Sequence, residues 1–203
     1  MSERIRKLLH VGCGPKRKAQ TTSGFNTPEW QEIRLDIDSS VQPDVTGTMT
    51  DMSAVKDCSI DAIFSSHNIE HLYPHEVPVA LAEFHRVLKD DGFAVITCPD
   101  MQSVCALVAQ GKLIEPAYHS GMGPISPLDI MYGHRASLAQ GNLYMAHRCG
   151  FTQKVLAGTL RAAGFSIVGS RARPQVFDLW ALASKSVRTE EEMRSLISLH
   201  FPA

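Results

Sequence analysis

Apolar residues in this chain fall into short runs separated by stretches with helical spacing. The runs KLLHVG (7–12), EIRLDID (32–38), DAIFSS (61–66) and FAVITCP (93–99) are rich in Val, Ile, Leu or Phe and end in Gly, Asp, Ser or Pro. Runs of that length and composition predict buried strands. Between the last two, HEVPVALAEFHRVLKDDG carries Val79, Leu81, Ala82, Phe84, His85, Val87 and Leu88 as a helical stripe, with Gly92 as its expected stop. TQKVLAGTLRAAGF repeats the device, with Thr152 as cap, Val155, Leu156 and Leu160 as apolar face, and Gly164 as exit turn. FSIVGSRA and FDLWALAS predict two more strands, and 189–200 a short amphipathic helix. Strands alternating with helices predict an α/β domain built on a parallel sheet.

Residues 101–150 break this rhythm. They open helically (MQSVCALVAQ) and then become rich in Gly (121, 123, 133, 141), Pro (116, 124, 127), His and Tyr. A segment this long inside a compact α/β domain is expected to be a lid or binding loop over the carboxyl ends of the strands. It supplies the candidate substrate contacts Tyr118, His119, His134, Tyr144 and His147. His134 and His147 are expected on its inner side.

Composition narrows the reading only a little. The 203 residues suit one domain over 1–203, with 101–150 as its insertion. Twenty Lys and Arg against 21 Asp and Glu leave a charge of −1, so no nucleic-acid footprint is expected. The basic groups Arg4, Arg6, Lys7 and Lys16, Arg17, Lys18 read as solvated surface. Five Cys with no C-x-x-C pair argue against a disulfide framework and a zinc ribbon. No apolar stretch reaches the roughly 20 residues a membrane span needs, and the N-terminus lacks a secretory pattern. A reduced, cytoplasmic protein is expected.

The candidate chemistry begins at HVGCG, where Gly12 and Gly14 follow the first strand. Glycines there permit a tight turn and let backbone N–H groups approach a ligand. Asp36 follows at the end of the second strand, where a carboxylate binds ribose hydroxyls; Asp38 is the alternative. Nicotinamide and S-adenosylmethionine sites share this arrangement. Arg17 stands where a dinucleotide fingerprint needs its third Gly, and TTSGFNTP forms a poor phosphate-binding helix. Both features favour the sulfonium cofactor, which carries no phosphate.

These stretches resemble the class I S-adenosylmethionine-dependent methyltransferases, in particular the methyltransferase type 11 group. LLHVGCG is similar to the glycine loop and RLDID to the ribose-binding strand end. DMSAVKDCSIDAIFSSHNIEHL resembles the adenine-binding Asp with the fourth strand and its loop, and EFHRVLKDDGFAVITCPD the helix and fifth strand that follow. The resemblance implies a Rossmann-like, doubly wound, mostly parallel seven-stranded sheet with helices on both faces and a lid insertion after the fifth strand. It implies S-adenosyl-L-methionine as co-substrate, held by Gly12, Cys13, Gly14, Asp36, Ile37, Asp51, Met52, Ser66 and His67. Gly12 and Gly14 would pack on its methionine part, Asp36 would bind the ribose and Ile37 flank the adenine. Asp51 would accept from the adenine amino group, Met52 would add backbone contacts, and the Ser66 carbonyl would meet the ammonium. His67 would stand at the mouth of the acceptor site.

The methyl of a sulfonium is intrinsically electrophilic, so the protein mainly aligns the reactants and excludes water. A hydroxyl or ammonium acceptor also needs a base, and His67, His134 and His147 are the catalytic candidates. A small-molecule acceptor is expected. A nicotinamide oxidoreductase and a non-catalytic cofactor-binding subunit are the competing readings. One pattern points elsewhere: HNIEH (67–71) fits H-x-x-E-H, which on a helix holds zinc. A strand immediately before it and Tyr73-Pro74 just after favour a strand-end loop, so no metal is expected.

Overall fold

The computed structural model of the chain describes residues 5–202; Arg4 of the first basic group lies outside them. Its strands are β1 (Arg6–Val11), β2 (Trp30–Asp36), β3 (Val45–Thr46), β4 (Ile60–Ser66) and β5 (Leu88–Pro99), followed by the small hairpin β6 (Tyr118–Ser120) and β7 (Gly123–Ile125), then β8 (Ile167–Arg173) and β9 (Asp178–Ser184). The helices are α1 (Val77–Val87), α2 (Met101–Ala109), α3 (Pro127–Tyr132), α4 (Arg135–Ala139), α5 (Gln153–Ala162) and α6 (Glu190–His200). Seven strands form one sheet in the order β3-β2-β1-β4-β5-β9-β8. Strands β3, β2, β1, β4 and β5 run parallel, while β9 runs antiparallel to both of its neighbours. The expected mostly parallel, doubly wound sheet is therefore present.

Alternation along the strands sends successive side chains to opposite faces. Leu9, Ile63, Ala94 and Ile96 pack with Leu81 and Phe84 of α1 and with Leu156 and Leu160 of α5. Leu8, Ala62, Phe64 and Val95 face the other way, onto Phe25, Trp30 and Met193 of α6. On that second face the region between β1 and β2 contains only a 3-10 turn at Lys18–Gln20. The poor helix-forming stretch behaves as its composition predicts. Phe25 fills the space instead, its ring 4.2 Å from that of His200. Thr22 Oγ1 lies 2.7 Å from His200 Nδ1, and the Gly24 N–H donates to the Leu199 carbonyl. Gly24 is required there, since a Cβ would stand 2.6 Å from the His200 ring.

Some local expectations shift. The buried stripe of α1 is Val77, Ala80, Leu81, Phe84 and Val87, whereas Val79 and Ala82 face solvent. In α5, Ala157 rather than the exposed Val155 joins Leu156 and Leu160. Gly92 does not stop α1, because the chain passes directly from Val87 into β5. It lies within β5 near a register shift, where a Cβ would crowd the carbonyls of Lys89 and Asp61. Strand β3, two residues long, is too short to leave an apolar run. Lys18 is no free surface charge, since its Nζ donates to the carbonyls of Thr27 and Trp30. Among the described residues no helix is long and apolar enough to cross a membrane.

Candidate active site at the carboxyl edge of the sheet

Gly12 and Gly14 follow β1 with φ of +60° and +51°, a region that favours glycine. A Cβ on Gly12 would collide with the Asn68 carboxamide at 2.0 Å, so close approach as well as φ demands glycine. The Asn68 Nδ2 donates to the Val11 and Ser66 carbonyls, tying the ends of β1 and β4 together. A Cβ on Gly14 would meet nothing within 4 Å, so this face of the loop is open. The Gly14 N–H donates to Asp36 Oδ2 at 2.7 Å, and the Asp38 N–H to Asp36 Oδ1 at 2.9 Å. A carboxylate offers about four acceptor positions, so two remain for a diol.

The Asp38 side chain caps the next turn, accepting from the Ser40 N–H. Ile37 is exposed beside Asp36. Cys13 is buried, and burial pushes its thiol up to about 11, leaving it neutral. Asp51 is exposed and accepts from the Ser53 N–H. Met52 departs from expectation: its side chain is in the core, its N–H donates to Glu83, and its carbonyl accepts from Arg86. These bonds leave its backbone N–H no free donor for an adenine.

Arg34 escaped the sequence reading. Buried to 1% exposure, its guanidinium donates to the carbonyls of Gly14, Lys16, Val41 and Gln42. It clamps the glycine loop to the loop after β2. The signal was a lone arginine inside the apolar strand pattern, because a buried charge needs partners. Asn68 lay within the stretch already singled out, but its contact with β1 is long-range.

Beyond β4, His67 takes φ of +55° and its N–H donates to the Thr97 carbonyl. Ser66 Oγ pairs with Thr97 Oγ1. The stretch after β4 forms a 3-10 turn, Ile69–His71, and not the long helix that a zinc-peptidase motif requires. Glu70 is fully buried, and His67 Nδ1 lies 3.3 Å from its Oε1. Burial disfavours charge on both groups. Their mutual attraction outweighs it, so the His67 pKa is raised and that of Glu70 lowered.

The 101–150 segment returns to this edge at its far end. The Arg148 and Cys149 N–H groups donate to the Glu70 carbonyl, and His71 Nδ1 lies 3.0 Å from the Ala146 carbonyl. His147 packs edge-on to His71, with ring centroids 4.8 Å apart. The other candidates lie elsewhere in the segment. His134 contacts Ser137, Tyr118 stacks on Phe177, His119 is exposed, and Tyr144 is 57% exposed. A groove of about 550 Å³ on the flank of α2 is lined by Gln102, Ser103, Leu107, Gln153, Pro174 and Phe177.

A parallel sheet ending in a glycine turn, an acid at the second strand end and an antiparallel last hairpin define the Rossmann-like fold of class I methyltransferases. Residues 9–96 match a family model described as a methyltransferase domain, the methyltransferase type 11 group. Residues 9–96 thus carry a methyltransferase domain of that group, and the chain has the fold of S-adenosylmethionine-dependent methyltransferases. Among solved structures it is similar to a Burkholderia thailandensis 1,6-didemethyltoxoflavin-N1-methyltransferase, at 18% identity and a TM-score of 0.56, covering 91% of this chain and 72% of that one. A methyltransferase from Archaeoglobus fulgidus matches at 15% identity and a TM-score of 0.57, covering 90% and 87%. One from Thermotoga maritima matches at 14% and 0.54, covering 89% and 82%. No curated protein sequence matches the chain.

Proposed function

We propose that this methyltransferase acts on a small molecule held at the carboxyl edge of the sheet, beside His67 and under the 101–150 segment. One observation carries the reading: the far end of that segment is hydrogen-bonded onto the Glu70 loop immediately after His67. The Burkholderia relative was solved with 1,6-didemethyltoxoflavin and S-adenosylhomocysteine bound, which supports an acceptor of similar scale. The net charge of −1 gives no general attraction for a polyanion.

When bound, S-adenosylmethionine supplies a methyl on a positively charged sulfur, and its in-line transfer leaves S-adenosylhomocysteine. Residues of this chain fit that group. Asp36 has two acceptor positions free for the ribose hydroxyls, and Gly14 leaves open space beside them. Asp51 stands exposed for the adenine amino group, and Ile37 offers apolar surface. The Ser66 carbonyl retains a lone pair beside its bond from Asn68, enough for an ammonium. His67, half exposed at the mouth, is the residue we assign to take the acceptor's proton. The segment above excludes water from the approach.

All five cysteines are free thiols, which suits the cytoplasmic location we assign. Calorimetry with S-adenosylhomocysteine and with NAD, followed by mass-spectrometric product detection on a panel of small hydroxy- and amino-compounds, tests the reading. Binding of the first nucleoside alone and a gain of one methyl on a panel member are expected. Methylation of protein or RNA with no small-molecule product would overturn the acceptor class.

A further inference from the structure

Glu70 presents an unresolved chemical problem. Its side chain is fully buried, yet neither carboxylate oxygen accepts a hydrogen bond. The nearest cationic candidate, His67 Nδ1, lies at 3.3 Å from Oε1. That attraction offsets the burial of the charge, yet both oxygens keep acceptor capacity that only a ligand can use.

Two imidazoles are prepared to supply that completion. His71 Nδ1 lies 3.0 Å from the Ala146 carbonyl, and His147 Nδ1 lies 2.7 Å from the Ile130 carbonyl. A carbonyl only accepts, so each ring carries its proton on Nδ1 and keeps the Nε2 lone pair free. Fixing Nδ1–H on a backbone carbonyl is how metal-binding histidines are oriented. One ligand atom each from Glu70, His71 and His147 lies within 4.8 Å of the others.

The cluster is also held from both sides. Arg148 and Cys149 donate their N–H groups to the Glu70 carbonyl, and the His147 N–H donates to that of Tyr132. The three donors therefore come from two stretches joined by backbone bonds. Cys149 is not a fourth donor, because its Sγ–H points to the Ile69 carbonyl at 3.4 Å.

We infer that Glu70, His71 and His147 form a binding site for one divalent first-row transition cation, with its open side toward His67. Two imidazoles and one carboxylate suit zinc, cobalt or manganese, and leave at least one position free for water or an acceptor oxygen. This reverses the metal-free expectation for HNIEH. The third donor of the proposed site, His147, comes from the inserted segment, so the H-x-x-E-H spacing alone does not define it. Cation binding itself does not depend on the acceptor reading; an acceptor oxygen as the further ligand does.

The test uses untagged, chelator-stripped full-length protein titrated with Co²⁺ and Zn²⁺. Metal analysis after gel filtration should find about one cation per chain, and Co²⁺ should develop visible d–d absorption of nitrogen and oxygen ligation. The cation should also raise the Tm, since it binds the native state. Glu70→Gln and His147→Ala should each weaken binding at least ~10-fold. Their affinity for S-adenosylhomocysteine should stay within about 3-fold, which shows that the fold persists. Wild-type protein that, after titration and gel filtration, holds under about 0.1 cation per chain would overturn the site. So would unchanged stoichiometry and affinity in folded His147→Ala. A metal-binding protein that methylates no small molecule would leave the site standing and remove only the acceptor reading.

Discussion

Two halves of the same sheet edge treat their polar groups in opposite ways. At the ends of β1 and β2, the described polar groups are largely satisfied by the protein. Asp36 takes two N–H donors, Asn68 bridges two strand ends, and the Arg34 guanidinium spreads over four carbonyls. Beyond β4, Glu70 is equally buried but accepts no hydrogen bond, with two oriented imidazoles beside it. The first half is a finished cradle whose ligand adds to existing bonds. The second is a set of donors that only a ligand completes. Preorganisation thus takes two forms here, rigidity through internal bonding and readiness through an imposed deficit.

The comparison can be broken most severely at Arg34. Arg34→Met fills similar volume but leaves the four carbonyls of the two loops without the donor that ties them together. It should destabilise the protein by about 3–5 kcal/mol in urea unfolding. A loss under about 1 kcal/mol would mean that the cradle is not held by this clamp.

Acid attacks the flank of the same half next. Burial, with a lesser push from Arg6, lowers the His200 pKa to about 4 from an ordinary 6.5. The unfolded chain therefore takes up a proton below 6.5 that the folded one refuses. Stability from this group is complete above pH 6.5 and falls as pH drops toward 4, by about 3 kcal/mol in all. Urea midpoints across that window check it, and His200→Phe should remove the decline specific to this site. An unchanged slope in that variant would locate the titration elsewhere.

Asp36→Ala probes the cradle's remaining capacity. S-adenosylmethionine binding should weaken by about 1.5–3 kcal/mol in calorimetry. Wild-type affinity in a folded variant would move the ribose to Asp38.

The smallest effect is the most discriminating. Glu70→Gln in metal-free protein should change stability by no more than about 1 kcal/mol in either direction, because the lost attraction to His67 is offset by removal of a buried charge and no direct hydrogen bond is broken. A loss near that of Arg34→Met would erase the distinction between the halves.

What the residues announced, and what they hid, follows from the range of the interactions. Apolar runs made the six longer strands of the sheet readable, Thr152 caps α5 as its spacing predicted, and α6 lies within the expected amphipathic stretch 189–200. Gly12, Gly14 and Asp36 were legible because a glycine turn and an acid at a strand end are local patterns. The buried face of α1 was misjudged because Val79 is apolar but turned outward, which only tertiary packing decides. Asn68 meets Val11 across 57 positions, and His71 meets Ala146 across 75. No window along the chain contains such pairs. The loop nature of HNIEH was readable from its neighbours, whereas the donor geometry around Glu70 depended on where the insertion returned.

The seam between Thr22–Phe25 and α6 has a consequence for the timing of synthesis. Thr22 and His200 are 178 positions apart, yet they are in contact. At about 5–20 residues per second, roughly 10–40 s separate their emergence from the ribosome. Throughout that interval the nascent chain carries Phe25 and Trp30 without the cover that α6 provides, an exposed aromatic target for a holdase.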